Sequence, residues 1–98
     1  MRIIAKRRLR EFWQQHADAQ VALEEWHLIA SKAVWDVPAD ITNTFAHSRY
    51  LGNDRFYFKV KGNRYRLIVK VVFLTKTVYI RFVGTHAEYD KIVDASKI

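Results

Sequence analysis

Arg66, His86 and Tyr89 are the residues of this chain best equipped to act on an anionic substrate. They fall in, or just beyond, a strongly basic stretch. Arg55 to Ala87 holds eight Lys or Arg residues and no Asp or Glu, and it leads into Gly84-Thr85-His86-Ala87-Glu88-Tyr89. Cations gathered without counter-ions need an anion from outside, and nucleic acid is the natural candidate.

RNA can be cut without metal or cofactor when its 2′-hydroxyl attacks the adjacent phosphate. That reaction needs a group to take the 2′ proton, a group to protonate the leaving 5′ oxygen, and cations on the developing phosphorane. The forked Arg66 guanidinium matches two phosphate oxygens at once. His86 can serve at either end of the proton path, since imidazole titrates near neutrality. Tyr89 is a poor base unless surrounding cations favour its phenolate, as the basic stretch leads one to expect. Lys59, Lys61, Arg64, Lys70 and Arg81 are the candidate RNA-binding cations. Each residue also has a structural reading: solvent-facing strand lysines, a mid-sheet arginine, a histidine capping a terminal helix, a core tyrosine.

Other chemistries lack their parts. The glycines at 52, 62 and 84 form no phosphate-binding loop, and Ser31, Ser48 and Ser96 sit in no nucleophile-elbow context. His16, His27, His47 and His86 show no i, i+4 metal pair, and cysteine is absent, so no metal ligand set is expected.

The elements that must position these residues can be read from periodicity. Arg2 to Ala5 can form a first strand. Leu9, Phe12, Trp13 and His16 mark an amphipathic helix from about Lys6 to His16. Asp18 is placed to cap a second helix, whose apolar stripe runs through Ala22, Trp26, Ile29, Ala30 and Ala33, widened by Leu23 and Val34. Pro38 ends that pattern. Residues 39–54 read as irregular, apart from a short turn that Asp40 could cap and that ends near Phe45. From Arg55 the period changes to two, with Phe56, Phe58 and Val60 inward. Gly62-Asn63 is a hairpin turn signal. A second strand from Arg64 to Phe73, a loop over 74–77 and a third strand with Val78, Ile80 and Phe82 inward complete a meander. A short helix follows from 86. The architecture expected is α+β, with an N-terminal strand and a two-helix hairpin packed on one face of an antiparallel sheet.

The hairpin register sets Lys61 opposite Arg64, Lys59 opposite Arg66 and Tyr57 opposite Ile68 on the face away from the core. Like charges across a strand pair cost roughly 0.2–1 kcal/mol each, so the arrangement favours a bound anion. The loop at 74–77 pairs Val69 with Phe82, Lys70 with Arg81 and Arg66 with Thr85. Lys59, Lys61, Arg66, His86 and Tyr89 are thereby expected to gather on the open sheet face.

Residues 1–98 suit one domain, half hydrophobic and 14% aromatic, with a formal charge of +7. No apolar run is long enough to span a membrane, and the basic start has no apolar region behind it to make a secretion signal. A cytoplasmic protein without membrane contact is expected.

The runs Gly62-Asn63-Arg64-Tyr65-Arg66-Leu67 and Tyr79-Ile80-Arg81-Phe82-Val83-Gly84-Thr85-His86-Ala87-Glu88-Tyr89-Asp90, with Trp35 to Pro38 and the order of elements, resemble the HigB toxins of bacterial toxin–antitoxin pairs, within the RelE superfamily of mRNA interferases. The resemblance covers nearly the whole chain. It implies a RelE-like, microbial-RNase-like fold, cleavage of ribosome-bound mRNA, and neutralisation by a HigA-like helix-turn-helix antitoxin; separately, the Lys6-Arg7-Arg8-Arg10 run could touch ribosomal RNA or simply be the wet face of the first helix. By motif position the resemblance sets Lys59 and Lys61 on the basic strand pair that handles RNA, and Arg66 on the strand arginine that stabilises the transition-state phosphate. Tyr89 lies near the C-terminal tyrosine of RelE-type toxins, with different spacing after the last strand. His86 stands where those relatives carry a second arginine, so proton transfer could pass to His86 and leave Tyr89 to stack or orient. Two other readings share the fold: a non-enzymatic, ParE-like gyrase inhibitor, and an RNA-binding module that stacks bases on Tyr57 and Tyr79.

Overall fold

The computed structural model describes every residue from Met1 to Ile98. Strand β1 (Arg2–Ile4) leads into helix α1 (Lys6–Gln15). On α1 only Leu9 is fully buried; Phe12 and Trp13 are half-buried, and Lys6, Arg7, Arg10, Gln14 and Gln15 stay in water. This is the expected amphipathic pattern, with the apolar side drawn to the core by burial. A 3-10 turn at Ala17–Ala19 then joins α2 (Gln20–Lys32). Asp18 does not cap α2, which has no side-chain cap. Its carboxylate is engaged elsewhere, as described below. Leu23, Trp26 and Ala30 carry the buried stripe of α2, whereas Ile29 and Val34, expected to face inward, are 37% and 72% exposed.

The segment read as irregular is ordered into two elements. Helix α3 (Pro38–Thr44) has Pro38 in its first turn, where the missing N–H costs nothing. The Asp40 carboxylate accepts the backbone N–H groups of Asp36 and Val37 at 2.8 and 3.2 Å, which fixes the entry to α3. Strand β2 (Ser48–Gly52) follows and becomes a sheet edge. Pro38 therefore opens a helix and does not close α2, which has already ended at Lys32.

Strands β3 (Arg55–Val60), β4 (Tyr65–Val72) and β5 (Thr77–Thr85) complete a sheet of order β1-β5-β4-β3-β2. β1 runs parallel to β5, and the other pairs are antiparallel. The fold is α+β, as expected, with a short helix α4 (His86–Asp90) after β5. Phe56, Phe58, Leu67, Val69, Val78 and Ile80 form one apolar cluster with Leu9, Leu23 and Trp26 of the helices. The helices therefore cover one face of the sheet.

The β3–β4 register is the expected one: Lys59 pairs with Arg66 and Tyr57 with Ile68. Gly62 has φ +63, as the first central position of the turn requires, although Lys61 also turns to φ +52 and leaves the ladder. The β4–β5 register differs from the expectation. The connecting loop is residues 73–76, with Val72 paired to Thr77, Val71 to Val78 and Lys70 to Tyr79. Between Ile68 and Val69 the register shifts, so Val69 meets Ile80 while Ile68 meets Phe82, and Arg81 is the extra residue of a β-bulge. Past the bulge the alternation inverts. Phe82 moves to the open face, Val83 takes the helix side, and Arg66 pairs with Gly84 instead of Thr85. Phe73 leaves the strand and rests edge-on against Phe56.

Candidate active site

The bulge determines what the open face presents. Tyr57 on β3, Arg66 and Ile68 on β4, and Phe82 on β5 share that face by register. Ile68 is fully buried there, outside the helix-side cluster, because Tyr57 and Phe82 flank it. Tyr89, from α4, stacks on Tyr57 with ring centroids 5.6 Å apart and lies 6.5 Å from Phe82. Thr85 fixes the start of α4: its hydroxyl accepts the Glu88 N–H at 3.1 Å, and the Glu88 carboxylate accepts the Thr85 N–H at 2.8 Å. A Cβ on Gly84 would come 2.6 Å from the Phe82 ring, so the ring occupies the space that only glycine leaves free.

Arg66 lies against this aromatic surface. Its guanidinium carbon is 5.9 Å from the Tyr57 ring centre and 5.7 Å from that of Tyr89, a double cation–π contact. The residue is only 5% exposed. One terminal nitrogen donates to the Asn63 carbonyl at 2.9 Å and the other to the Asn63 side-chain oxygen, while Nε is buried with no acceptor. No carboxylate pairs with Arg66. A buried cation with an unmet donor is poised for an anionic ligand.

Tyr89 is thus brought to Arg66, and His86 is not in contact with it. The Nδ1 of His86 lies 2.8 Å from an Asp90 carboxylate oxygen, and its backbone N–H donates to the Arg64 carbonyl at 3.1 Å. His86 and Tyr89 belong to the same short helix, three residues apart, which places them on neighbouring positions of its surface.

The remaining cations divide. Lys59 faces the open side and is exposed, with no charge partner. Lys61 and Arg64 reach Asp18 instead, at 3.7 and 3.2 Å, so the chain supplies a counter-ion for this cross-strand pair. The same Asp18 accepts the Tyr65 hydroxyl. Arg81, the bulge residue, donates to the Ile98 carbonyl oxygen at 3.3 Å, as Arg55 does at 2.9 Å. Lys70 pairs in register with Arg55 and Tyr79 and is half-buried.

Burial, then the neighbouring Tyr57, pushes the Tyr89 phenol above its ordinary 10.0; Arg66 and Arg49 oppose that shift without reversing it. The expected phenolate is therefore not favoured, and Tyr89 is a neutral donor at pH 7. Arg49 joins the site from β2, its guanidinium 5.9 Å from the Tyr57 ring; no strand pattern of its own marks β2 in the sequence. Asp90 and Asn63 are further site residues, as partners of His86 and Arg66. Their signals were local: Asp90 stands four residues after His86 on a helix, and Asn63 stands in the turn beside Arg66. No group of three or more His, Asp or Glu side chains lies together to hold a metal ion.

Residues 19–92 match the family model of the HigB toxin, the RelE-like toxic component of a toxin–antitoxin system. The chain belongs to the HigB toxin family. The match takes in every strand of the meander, the Gly62-Asn63 turn and α4, and so the whole aromatic face. The chain is also similar to the mRNA interferase HigB of Escherichia coli O6:H1, with 24% identity over 94 residues, spanning 94% of this chain and 91% of that protein. No helix of this HigB-family toxin is long and apolar enough to cross a membrane.

Proposed function

We propose that this toxin is an mRNA interferase that cuts ribosome-bound message by metal-independent attack of a 2′-hydroxyl on the adjacent phosphate. The observation that carries the reading is the Arg66 guanidinium, buried between Tyr57 and Tyr89 with an unmet Nε and no carboxylate. The name of the E. coli relative supports RNA cleavage as the chemistry.

In this mechanism bases of the message stack against the Tyr57–Tyr89 surface while Lys59 and Arg49 hold the backbone. Arg66 neutralises charge that develops on the phosphorane oxygens. Asp90 accepts a hydrogen bond from His86 Nδ1, which leaves Nε2 free to take the 2′ proton. Tyr89, protonated before the reaction, gives its phenol proton to the departing 5′ oxygen, and the proton that His86 takes from the 2′-hydroxyl returns to the phenolate through solvent. The products are a 2′,3′-cyclic phosphate and a free 5′-hydroxyl. A HigA-like helix-turn-helix antitoxin is the expected neutralising partner.

The test is to add the purified protein to translating ribosomes with a defined message, to express it in cells alongside, and to map new 5′ ends in both. Cuts inside codons, lost in Arg66→Ala and His86→Ala variants that stay folded, are expected. Full toxicity in both variants would overturn the site. DNA damage with intact messages would point to gyrase, and binding without a cut to a plain RNA-binding module.

A further inference from the structure

Two adjoining cavities lie on the opposite side of Lys59 from the aromatic face. One of about 190 Å³ sits between α2 and the end of β3, and one of about 180 Å³ lies beside the link from α3 to β2. Trp26, Phe45 and Lys59 line both, so they form one continuous groove. Its floor is aromatic and includes the 4%-exposed Trp26, whose indole N–H is buried beneath with no acceptor. Ile29, exposed against the sequence pattern, lines the groove on the α2 side. The rim carries both signs of charge: Glu25 on α2, and Lys59 with Lys61 on β3.

We infer that this groove receives an amphipathic segment of the antitoxin that neutralises the toxin; the inference rests on the partnership stated above. The segment would insert an apolar side chain over Trp26, direct an acidic residue to the unpaired Lys59, and direct a basic residue to Glu25. The mixed rim selects against RNA, whose backbone carries one sign of charge and would be repelled by Glu25. A nucleobase also has several edge donors and acceptors, and an apolar floor would leave them unpaired. Lys59 connects the groove to the open face. An occupant that engages Lys59 removes a cation from the RNA path, so docking and neutralisation become one event.

The experiment uses the full toxin and the antitoxin encoded beside it, with Ile29→Asp and Glu25→Lys as variants. Both positions are exposed on α2, so folding should be retained, and thermal melts check this. The wild-type complex should move the Trp26 indole N–H resonance. Each variant should weaken antitoxin binding by about tenfold or more, as loss of an interface anchor does, while its RNA cleavage without antitoxin is unchanged. Variants that bind like wild type would overturn the groove and leave the partnership standing. A wild-type toxin that the antitoxin does not bind would overturn the partnership itself. Movement of the Trp26 signal by a 2′-O-methyl RNA oligonucleotide, with binding lost in Ile29→Asp, would make the groove an RNA site and overturn the inference.

Discussion

At the scale of single residues, the division of labour around Arg66 leads to separable outcomes. Replacing His86 by Ala should lower cleavage about 10²–10⁴-fold, the usual worth of a positioned acid or base. Asp90→Asn should act in the same direction through His86, which a changed pH–rate profile would report. Tyr89 should titrate above 10.0 when its ring carbon resonance is followed against pH, because burial dominates its environment. The sign of each neighbour is checkable: Arg66→Ala should raise that midpoint further, and Tyr57→Phe should lower it. Asp18 makes a contrasting case, held below its ordinary 3.8 first by the Tyr65 hydroxyl, then by Arg64 and Lys61. A carboxylate depressed in the folded state stabilises above its unfolded value and loses that contribution as pH falls. Tyr65 is raised above 10.0 by the same bond, so its contribution is lost as pH climbs through that range. Asp18→Asn should therefore lower the melting temperature most between about pH 4 and pH 10, and the gap to wild type should close in acid.

At the scale of elements, the bulge at Arg81 is what turns a plain meander into a site. It sends Phe82 to the face where Tyr89 needs support, and Gly84 leaves room for the ring. In Gly84→Ala the half-exposed Phe82 ring can swing aside, so stability should fall by about 1 kcal/mol, the low end for overpacking. Activity should fall further, because Tyr89 loses its neighbour; comparing melts with cleavage rates separates the two. The β3–β4 hairpin, the amphipathic α1 and the short α4 were legible in the sequence, since each follows a local period or turn signal. The bulge was not, because one extra residue leaves the alternation on either side intact and only the pairing partner reveals the shift. Strand β2 was missed for a related reason: Ser48-Arg49-Tyr50 has no apolar alternation of its own, and it is a strand because β3 pairs with it. Of the site, Arg66 and Tyr89 meet as the register arguments suggested, whereas the turning of Lys61 and Arg64 to Asp18 depends on a helix-side contact that no strand pattern contains.

At the scale of the whole molecule, the sheet has an apolar layer on each side. Ile68 is as buried as Leu67, though the two point to opposite faces. Ile68→Ala should accordingly cost about 2–5 kcal/mol, like a core truncation, when measured by denaturant unfolding. A cost near that of a surface change would show that the open face is not sealed. The excess positive charge should make RNA affinity fall steeply with salt, and Lys59→Ala should reduce the slope of log affinity against log salt by about 0.7 for a single strand. The clasp of Asn63 and the two tyrosines around Arg66 has a consequence for selectivity. Dissolved sulfate or inorganic phosphate meets a plugged entrance and should inhibit only feebly, whereas a polymer that levers an aromatic ring aside uncovers the cation as it settles.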